Sequence, residues 1–295
     1  MRSFVTWLMI KWGKLLGHLP RYVVRAPGIL IGFLWFDLLR LRKQIVLENL
    51  KIAFPEKSQG DRNLIARRSI YNLAYNFTEF FAVPGMDQEW RKRNIVWEGV
   101  ENLRAAQQKN KGVFLLSMHL GNADAAANAI ASELSELYLI TKVFKNKLLN
   151  NMWFAIRGYH GVNYIDAHGP NNAFEILKAL KKKAAVVFVL DQYMGPPYGI
   201  PTTFFGKRTG TAYGLALFVQ KTQAPVVPVY PYEGEDGKIH IVFLPEVDTS
   251  SLISDDKNQT TKLMTQRFTD EIEACVRRHP EQWMWVHRRW KFIED

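Results

Sequence analysis

Gly112-Val-Phe-Leu-Leu-Ser-Met-His119-Leu-Gly-Asn-Ala-Asp124-Ala-Ala126 is the stretch on which the fold turns. Val113–Ser117 is too short for a helix and too uniformly apolar for a strand with one wet face. It reads as a strand buried on both sides. The alanine-rich run from Asn122 reads as the start of a helix, with Gly121 turning the chain between the two. A buried strand followed at once by a helix opens a βαβ unit. His119 then falls at the carboxyl end of the strand, the edge where open α/β sheets place their ligand crevice. Asp124 falls in the first helical turn, where the helix dipole favours an anion.

Outward from this stretch the same alternation repeats. Apolar runs at 137–144, 184–190 and 224–230 read as further buried strands, and 238–244 alternates enough for a half-exposed one. Helical spacing predicts helices over 171–183, 211–222 and 256–278. Another is expected over 58–83, carried by Leu64, Ile65, Ile70, Leu73, Phe77 and Phe80 and closed by Pro84 and Gly85. The expectation is an α/β fold, a mostly parallel central sheet flanked by helices on both faces. Two parts are expected: an N-terminal helical segment over 1–55 and a single catalytic domain over 56–295.

Composition bounds the function. At 47% hydrophobic and 23% charged residues the 295-residue chain is neither disordered nor polytopic in a membrane. Its one cysteine, Cys275, excludes a disulfide framework, and no three-ligand metal spacing occurs, so no metal is expected. The net charge is +11 and unevenly spread. Residues 1–51 hold nine basic side chains (Arg2, Lys11, Lys14, Arg21, Arg25, Arg40, Arg42, Lys43, Lys51) against Asp37 and Glu48, hence seven of those net charges. Phe4, Trp7, Leu8, Met9, Ile10 and Trp12 lie among them, ahead of a 14-residue apolar run over 26–39 that only Asp37 interrupts. That run is short of the ~20 residues a spanning helix needs. Basic residues beside Trp and Leu suit the headgroup layer of an anionic membrane. A membrane-associating extension is expected, whether it spans or lies flat. A nucleic-acid partner would suit the charge, but no nucleic-acid motif accompanies it.

The spacing of His119 and Asp124 has a chemical reading. On one continuous helix the two side chains would diverge by about 140°. A turn at Gly121 instead allows the Asp124 carboxylate to accept a hydrogen bond from one imidazole nitrogen, leaving the other as a base. That is the base and orienter of a catalytic triad without its nucleophile, so the substrate would bring its own hydroxyl. With seven His and 28 acidic residues, such a spacing arises about once by chance, and context has to decide.

That context is a set of motifs in order along the chain. They are Glu48-Asn-Leu-Lys-Ile-Ala-Phe-Pro-Glu56, Leu115-Leu-Ser-Met-His-Leu-Gly-Asn-Ala-Asp124, the basic Lys142-to-Asn146 and Arg157-Gly158 segments, Leu190-Asp-Gln192, Pro201-Thr-Thr-Phe-Phe-Gly206, Ala224-Pro-Val-Val-Pro228 and Pro280-Glu-Gln-Trp-Met-Trp-Val-His-Arg-Arg-Trp-Lys291. Together they resemble the bacterial lipid A late-acyltransferase family, within the glycerolipid acyltransferases that carry a His-x4-Asp/Glu motif. The acid here is Asp124 where many lipid A enzymes have Glu, and Ala123 stands where the family commonly has an aromatic residue.

The resemblance implies acyl transfer from an acyl-carrier-protein or CoA thioester to a hydroxyl of a lipid A-type glycolipid precursor. A phospholipid, lysophospholipid or phosphatidylinositol mannoside is the alternative acceptor. It places the catalytic domain on the cytoplasmic side of the bacterial inner membrane and requires no cofactor beyond the thioester co-substrate. His119 and Asp124 would be catalytic, with oxyanion or charge stabilisation from Gly121 and Asn122, Lys142 or Arg157. Asp191 and Gln192, at the same sheet edge, would orient acceptor hydroxyls. Phe204, Phe205 and Gly206 are candidates for an acyl groove, with core packing the alternative. His287, Arg288 and Arg289 are candidates for binding phosphates, with a lipid-contacting basic tail the alternative.

Overall fold

A computed structural model describes residues 4–291, so Arg2 lies outside the described residues. β2 (Val113–Ser117) occupies the middle of a sheet because each of its residues is apolar or small, and all five are buried. Successive side chains alternate between the faces. Phe114 and Leu116 pack into one core, while Val113 and Leu115 pack into the other. Around β2, among the described residues, stand β1 (Ile95–Glu98), β3 (Leu137–Thr141), β4 (Val162–Asp166), β5 (Ala185–Val189), β8 (Val226–Glu233) and β9 (Ile239–Phe243). Their order is β1-β9-β8-β2-β5-β3-β4, parallel throughout except for the β8–β9 pair. A separate hairpin, β6 (Gly199–Phe204) and β7 (Lys207–Ala212), lies outside this sheet.

Helices cover both faces. α6 (Val100–Gln108) and α7 (Ala123–Glu133) supply Leu103, Ala106, Ala125, Ala126, Ala129 and Ile130 to one core. On the other side lie α3 (Lys43–Ala53), α9 (Asn172–Lys181), α10 (Gly214–Thr222) and α11 (Lys257–Arg278). The remaining helices are α1 (Phe4–Gly17), α2 (Arg21–Gly32), α4 (Gln59–Phe80), α5 (Gln88–Asn94) and α8 (Lys147–Arg157). The architecture is the α/β fold that the sequence predicts.

Its details depart from expectation where tertiary contacts intervene. The strand expected over 137–144 ends at Thr141, and Asn146 then caps α8. The helix expected from 211 begins at Gly214, because Thr209 and Thr211 are buried in β7 with their hydroxyls bonded inside the protein. β9 is not half-exposed: flanked by β1 and β8, it leaves only His240 partly open.

The N-terminal segment is packed onto the domain by glycines. A Cβ at Gly17 would come within 2.4 Å of the Gly85 backbone, and one at Gly13 within 2.5 Å of the Phe81 carbonyl. Gly28 and Gly32 similarly bring α2 against Tyr75 and Tyr71 of α4. Val46, Leu50, Ala53 and Phe54 share a core with Ile70, Phe204 and Trp285, so no packing boundary falls near residue 55. The outer faces of α1, α2 and the π-helical turn Phe33–Leu38 keep Phe4, Trp7, Trp12, Tyr22, Ile29, Leu30 and Phe33 exposed. Among the described residues no single helix is long and apolar enough to cross a membrane. One bent pair, Arg21–Leu38 with Lys43–Ala53 at 83°, has the length and composition. Its second arm is committed to the protein core by Val46 and Leu50.

Candidate active site

Strand register builds the site. In the parallel β2–β5 pair Ser117 lies opposite Val189. Two residues beyond the strand ends, His119 and Asp191 therefore come out level at the carboxyl edge of the sheet. His119 Nδ1 lies 2.8 Å from Asp191 Oδ1, and the His119 backbone N–H donates to Oδ2 of the same carboxylate at 2.8 Å. Trp283 Nε1 donates a third bond to Oδ2 at 2.7 Å. A carboxylate only accepts, so Nδ1 carries the proton and Nε2 is left bare as a base. Asp191 is 1% exposed while the imidazole is 41% exposed, an anchored base with an open outer edge.

The electrostatics follow from this clamp. Burial disfavours ionised Asp191, but the His119 ring and the three donated bonds outweigh it and hold the carboxyl below its ordinary range. Burial likewise works against a charged His119, and Asp191 overcomes it, raising the imidazole above its ordinary 6.5. Arg157 and Asp124 also act on the ring through space, in opposite directions.

The expected hydrogen bond from His119 to Asp124 is replaced by this one. Asp124, on the first turn of α7, instead forms an ion pair with Arg157 Nε at the end of α8. Two physical reasons account for the exchange. Parallel register delivers Asp191 to Nδ1, and the first turn of α7 aims Asp124 sideways at α8. Burial opposes the Arg157 charge, but Asp124 prevails and raises its pKa. Asn128 binds the Arg157 carbonyl at 2.8 Å and the Asp124 carbonyl at 2.8 Å, holding the two helix ends together.

The turn after His119 is gripped from three sides. Gly121 N–H donates to Gln282 O at 3.0 Å, and Asn76 Nδ2 donates to Gly121 O at 2.8 Å. Asn122 Oδ1 caps α7 by accepting from Ala125 N at 3.0 Å. The N–H groups of Ala123 and Asp124 have no intrahelical partner at this helix start, so they are donors left over within five residues of the base. Gly121 adopts φ +56°, and a Cβ there would meet Pro231 O at 2.4 Å. Gly121→Ala is accordingly expected to destabilise the protein by about 2–3 kcal/mol. Urea unfolding checks this, and a change below ~0.5 kcal/mol would show that the turn relaxes freely.

A cavity opens beside the base. It is narrow, about 60 Å³, and is bounded by His119, Ala123, Ala127, Ile130, Leu139 and Val187 among others. Helix α7 presents alanines here, which is what leaves room between it and the sheet. A larger depression of about 1130 Å³ lies at the opposite, amino end of the strands, against Ala224 and Val247. That is the wrong edge of an α/β sheet for the chemistry of His119.

The other sequence candidates divide. Gln192 follows Asp191, and its carbonyl accepts from Arg289 Nη1 at 3.3 Å. Lys142 is exposed on the loop after β3. Phe204 and Phe205 are buried among Trp283, Trp285 and Trp290, which is core packing rather than a groove, and Gly206 forms the hairpin turn at φ +68°. Arg289 is wholly buried and therefore does not reach a phosphate. It bonds Gly210 O and Thr211 Oγ1 of β7, and burial pulls its pKa down to about 10. Arg288 is exposed and shares a groove with Lys51, Lys207 and Lys291. His287 is half-buried near Asp191 and His119, where burial lowers its pKa. The structure adds Trp283 to the site through its bond to Asp191.

Comparison with known proteins gives this geometry its context. A family model described as bacterial lipid A biosynthesis acyltransferase matches residues 1–292. The chain belongs to the lipid A biosynthesis acyltransferase family. It is an O-acyltransferase. A lauroyltransferase of lipid A biosynthesis from Escherichia coli (strain K12) is 27% identical, over 98% of this chain and 92% of its own length. A palmitoleoyltransferase of the same strain is 28% identical over the same shares. A myristoyltransferase of that strain is 23% identical, over 81% of this acyltransferase and 72% of its own length. The three names differ in acyl group, so membership of the family does not itself fix the acyl chain.

Proposed function

We propose that the protein transfers a fatty acyl chain from a carrier-protein or CoA thioester to a hydroxyl of a lipid A-type precursor, at the cytoplasmic face of the bacterial inner membrane. The observation that carries the reading is a histidine clamped by a buried carboxylate at the mouth of an apolar cavity. His119 Nε2 takes the proton of the acceptor hydroxyl as its oxygen bonds to the thioester carbonyl carbon. Asp191 fixes the tautomer and stabilises the imidazolium that forms. The first-turn N–H groups of α7 supply donors for the oxyanion, and the Asp124–Arg157 pair sets the polar wall of the site. The tetrahedral adduct collapses by breaking the C–S bond, and the thiolate takes the proton back from His119. No acyl-enzyme is needed, because the leaving thiol is already good.

The alanine face of α7 suits the acyl chain. Arg288 with Lys51, Lys207 and Lys291 suits the anionic part of a donor or acceptor. Purified protein given each donor with either a lipid A precursor or a lysophospholipid, and products read by mass spectrometry, tests the proposal. Acylation of the lysophospholipid alone would overturn the acceptor assignment. Narrowing the cavity with Ala127→Phe is expected to shorten the preferred chain by at least two carbons. It should slow the original best donor by about 10- to 100-fold, read by competition among thioesters of mixed length. An unchanged preference would take the chain out of this cavity.

A further inference from the structure

Glu79, near the end of α4, is 1% exposed, yet it is a carboxylate with three partners from two distant parts of the chain. Arg21 Nε and Arg25 Nε, both on α2, donate to Oε1 at 2.7 and 2.8 Å. Asn122 Nδ2, at the cap of α7, donates to Oε2 at 2.8 Å. The same two guanidinium groups also pair with Glu233 at the end of β8. Asn122 is 5% exposed, and its amide is used at both ends, Oδ1 on Ala125 N and Nδ2 on Glu79. Its orientation is therefore set by where Glu79 stands, and Glu79 stands where the two arginines hold it.

We propose that Glu79 is a positioning residue that couples the seating of α2 to the geometry of the turn following His119. The proposal rests on the reading of His119 as the base. A buried carboxylate flanked by two guanidinium groups is held firmly, because removing either partner would leave uncompensated charge beside a carboxylate that is itself shut off from water. The outer side of α2 carries exposed Tyr22, Val23, Ile29 and Leu30, so whatever that side rests on bears on the arginines of its inner side. Seated, α2 keeps Glu79 on Asn122, and the first turn of α7 stays aligned with the base. Displaced, α2 takes away both counter-charges, and the Asn122 amide loses its anchor. Docking of the N-terminal helix and competence of the active site become one equilibrium.

The test uses the full-length protein and three readouts: steady-state kinetics on the donor and acceptor that the wild type turns over, melting temperature, and hydrogen exchange of residues 117–126. Glu79→Gln is expected to lower kcat by about tenfold or more while KM moves less than about twofold. It should also quicken exchange across 117–126. Asn122→Ala should do the same, and the double variant should be no slower than the worse single one. Arg25→Lys keeps the charge but gives up the forked contacts, and it carries the same test if Glu79→Gln does not fold. A lower melting temperature with unchanged kcat and exchange would overturn the proposal, as would losses that multiply in the double variant. His119→Ala in the same assay separates the two claims. If it retains transfer, the reading of the base fails, while exchange at 117–126 in Glu79→Gln still decides the coupling.

Discussion

Replacing Asp191 by asparagine is expected to cut kcat by about 10³- to 10⁴-fold with little change in KM. The amide keeps the shape of the carboxylate but not its charge, and its NH₂ group favours the wrong imidazole tautomer at Nδ1. Both effects act on the transition state, where the imidazolium forms. Asp124→Asn weakens the pair with Arg157 and leaves Nδ1 bonded, so its loss should be smaller, about 10- to 100-fold. The pH profile supplies an independent sign. In the proposed mechanism the base works as neutral imidazole, and Asp191 raises its pKa, so the rate of the wild type should fall as pH drops through a value above 6.5. Without the carboxylate, burial becomes the leading influence and favours the neutral ring. The acid limb of Asp191→Asn should therefore move to lower pH. A variant that keeps its kcat within about threefold, or an acid limb that stays in place, would remove Asp191 from this role.

Serine at Tyr22, Ile29, Leu30 and Phe33 together is expected to weaken binding to anionic vesicles by about 10³-fold. These side chains are exposed in the protein, so their burial in lipid is the driving force to be lost. At roughly 1 kcal/mol for each partly exposed side chain the total is about 4 kcal/mol. Because none of them supports the core, the melting temperature should move by less than about 2 °C. Sedimentation with vesicles and a thermal melt check both halves. Undiminished sedimentation would sink the interfacial role of this face. Raising the salt should weaken binding of the wild type as well, since the N-terminal segment also exposes Lys11 and Lys14.

Local chemistry made the sheet and one half of the site readable. The run Val113–Ser117 admits little besides a buried strand, and a polar residue just past its end falls on the binding edge whatever the rest of the chain does. The partner of His119 was harder to foresee. Asp124 is five positions away and draws attention, whereas Asp191 is 72 positions away and becomes the partner only through the Ser117–Val189 register. The sheet edge of Asp191 is legible in the sequence, whereas its pairing with His119 is not. Arg289 shows the same limit in reverse. Two arginines in an aromatic stretch suggest phosphate binding, but the chain tucks one of them beneath the β6–β7 hairpin. Strands β1 and β4 were missed because Trp97-Glu98 and Asn163-Tyr164 interrupt short runs with polar or half-buried positions that only edge pairing explains.

Trp283 has a consequence for how the enzyme comes into being. The segment around it hydrogen-bonds Asp191 and the Gly121 N–H, while Met284 N–H bonds the His119 carbonyl. Every strand of the sheet precedes that segment in chain order. A growing polypeptide folds from its amino end, so the N-terminal helices leave the ribosome long before His119 has its full set of supports. A chain halted before Trp283 would therefore hold a finished sheet but leave His119 and Asp191 without these bonds.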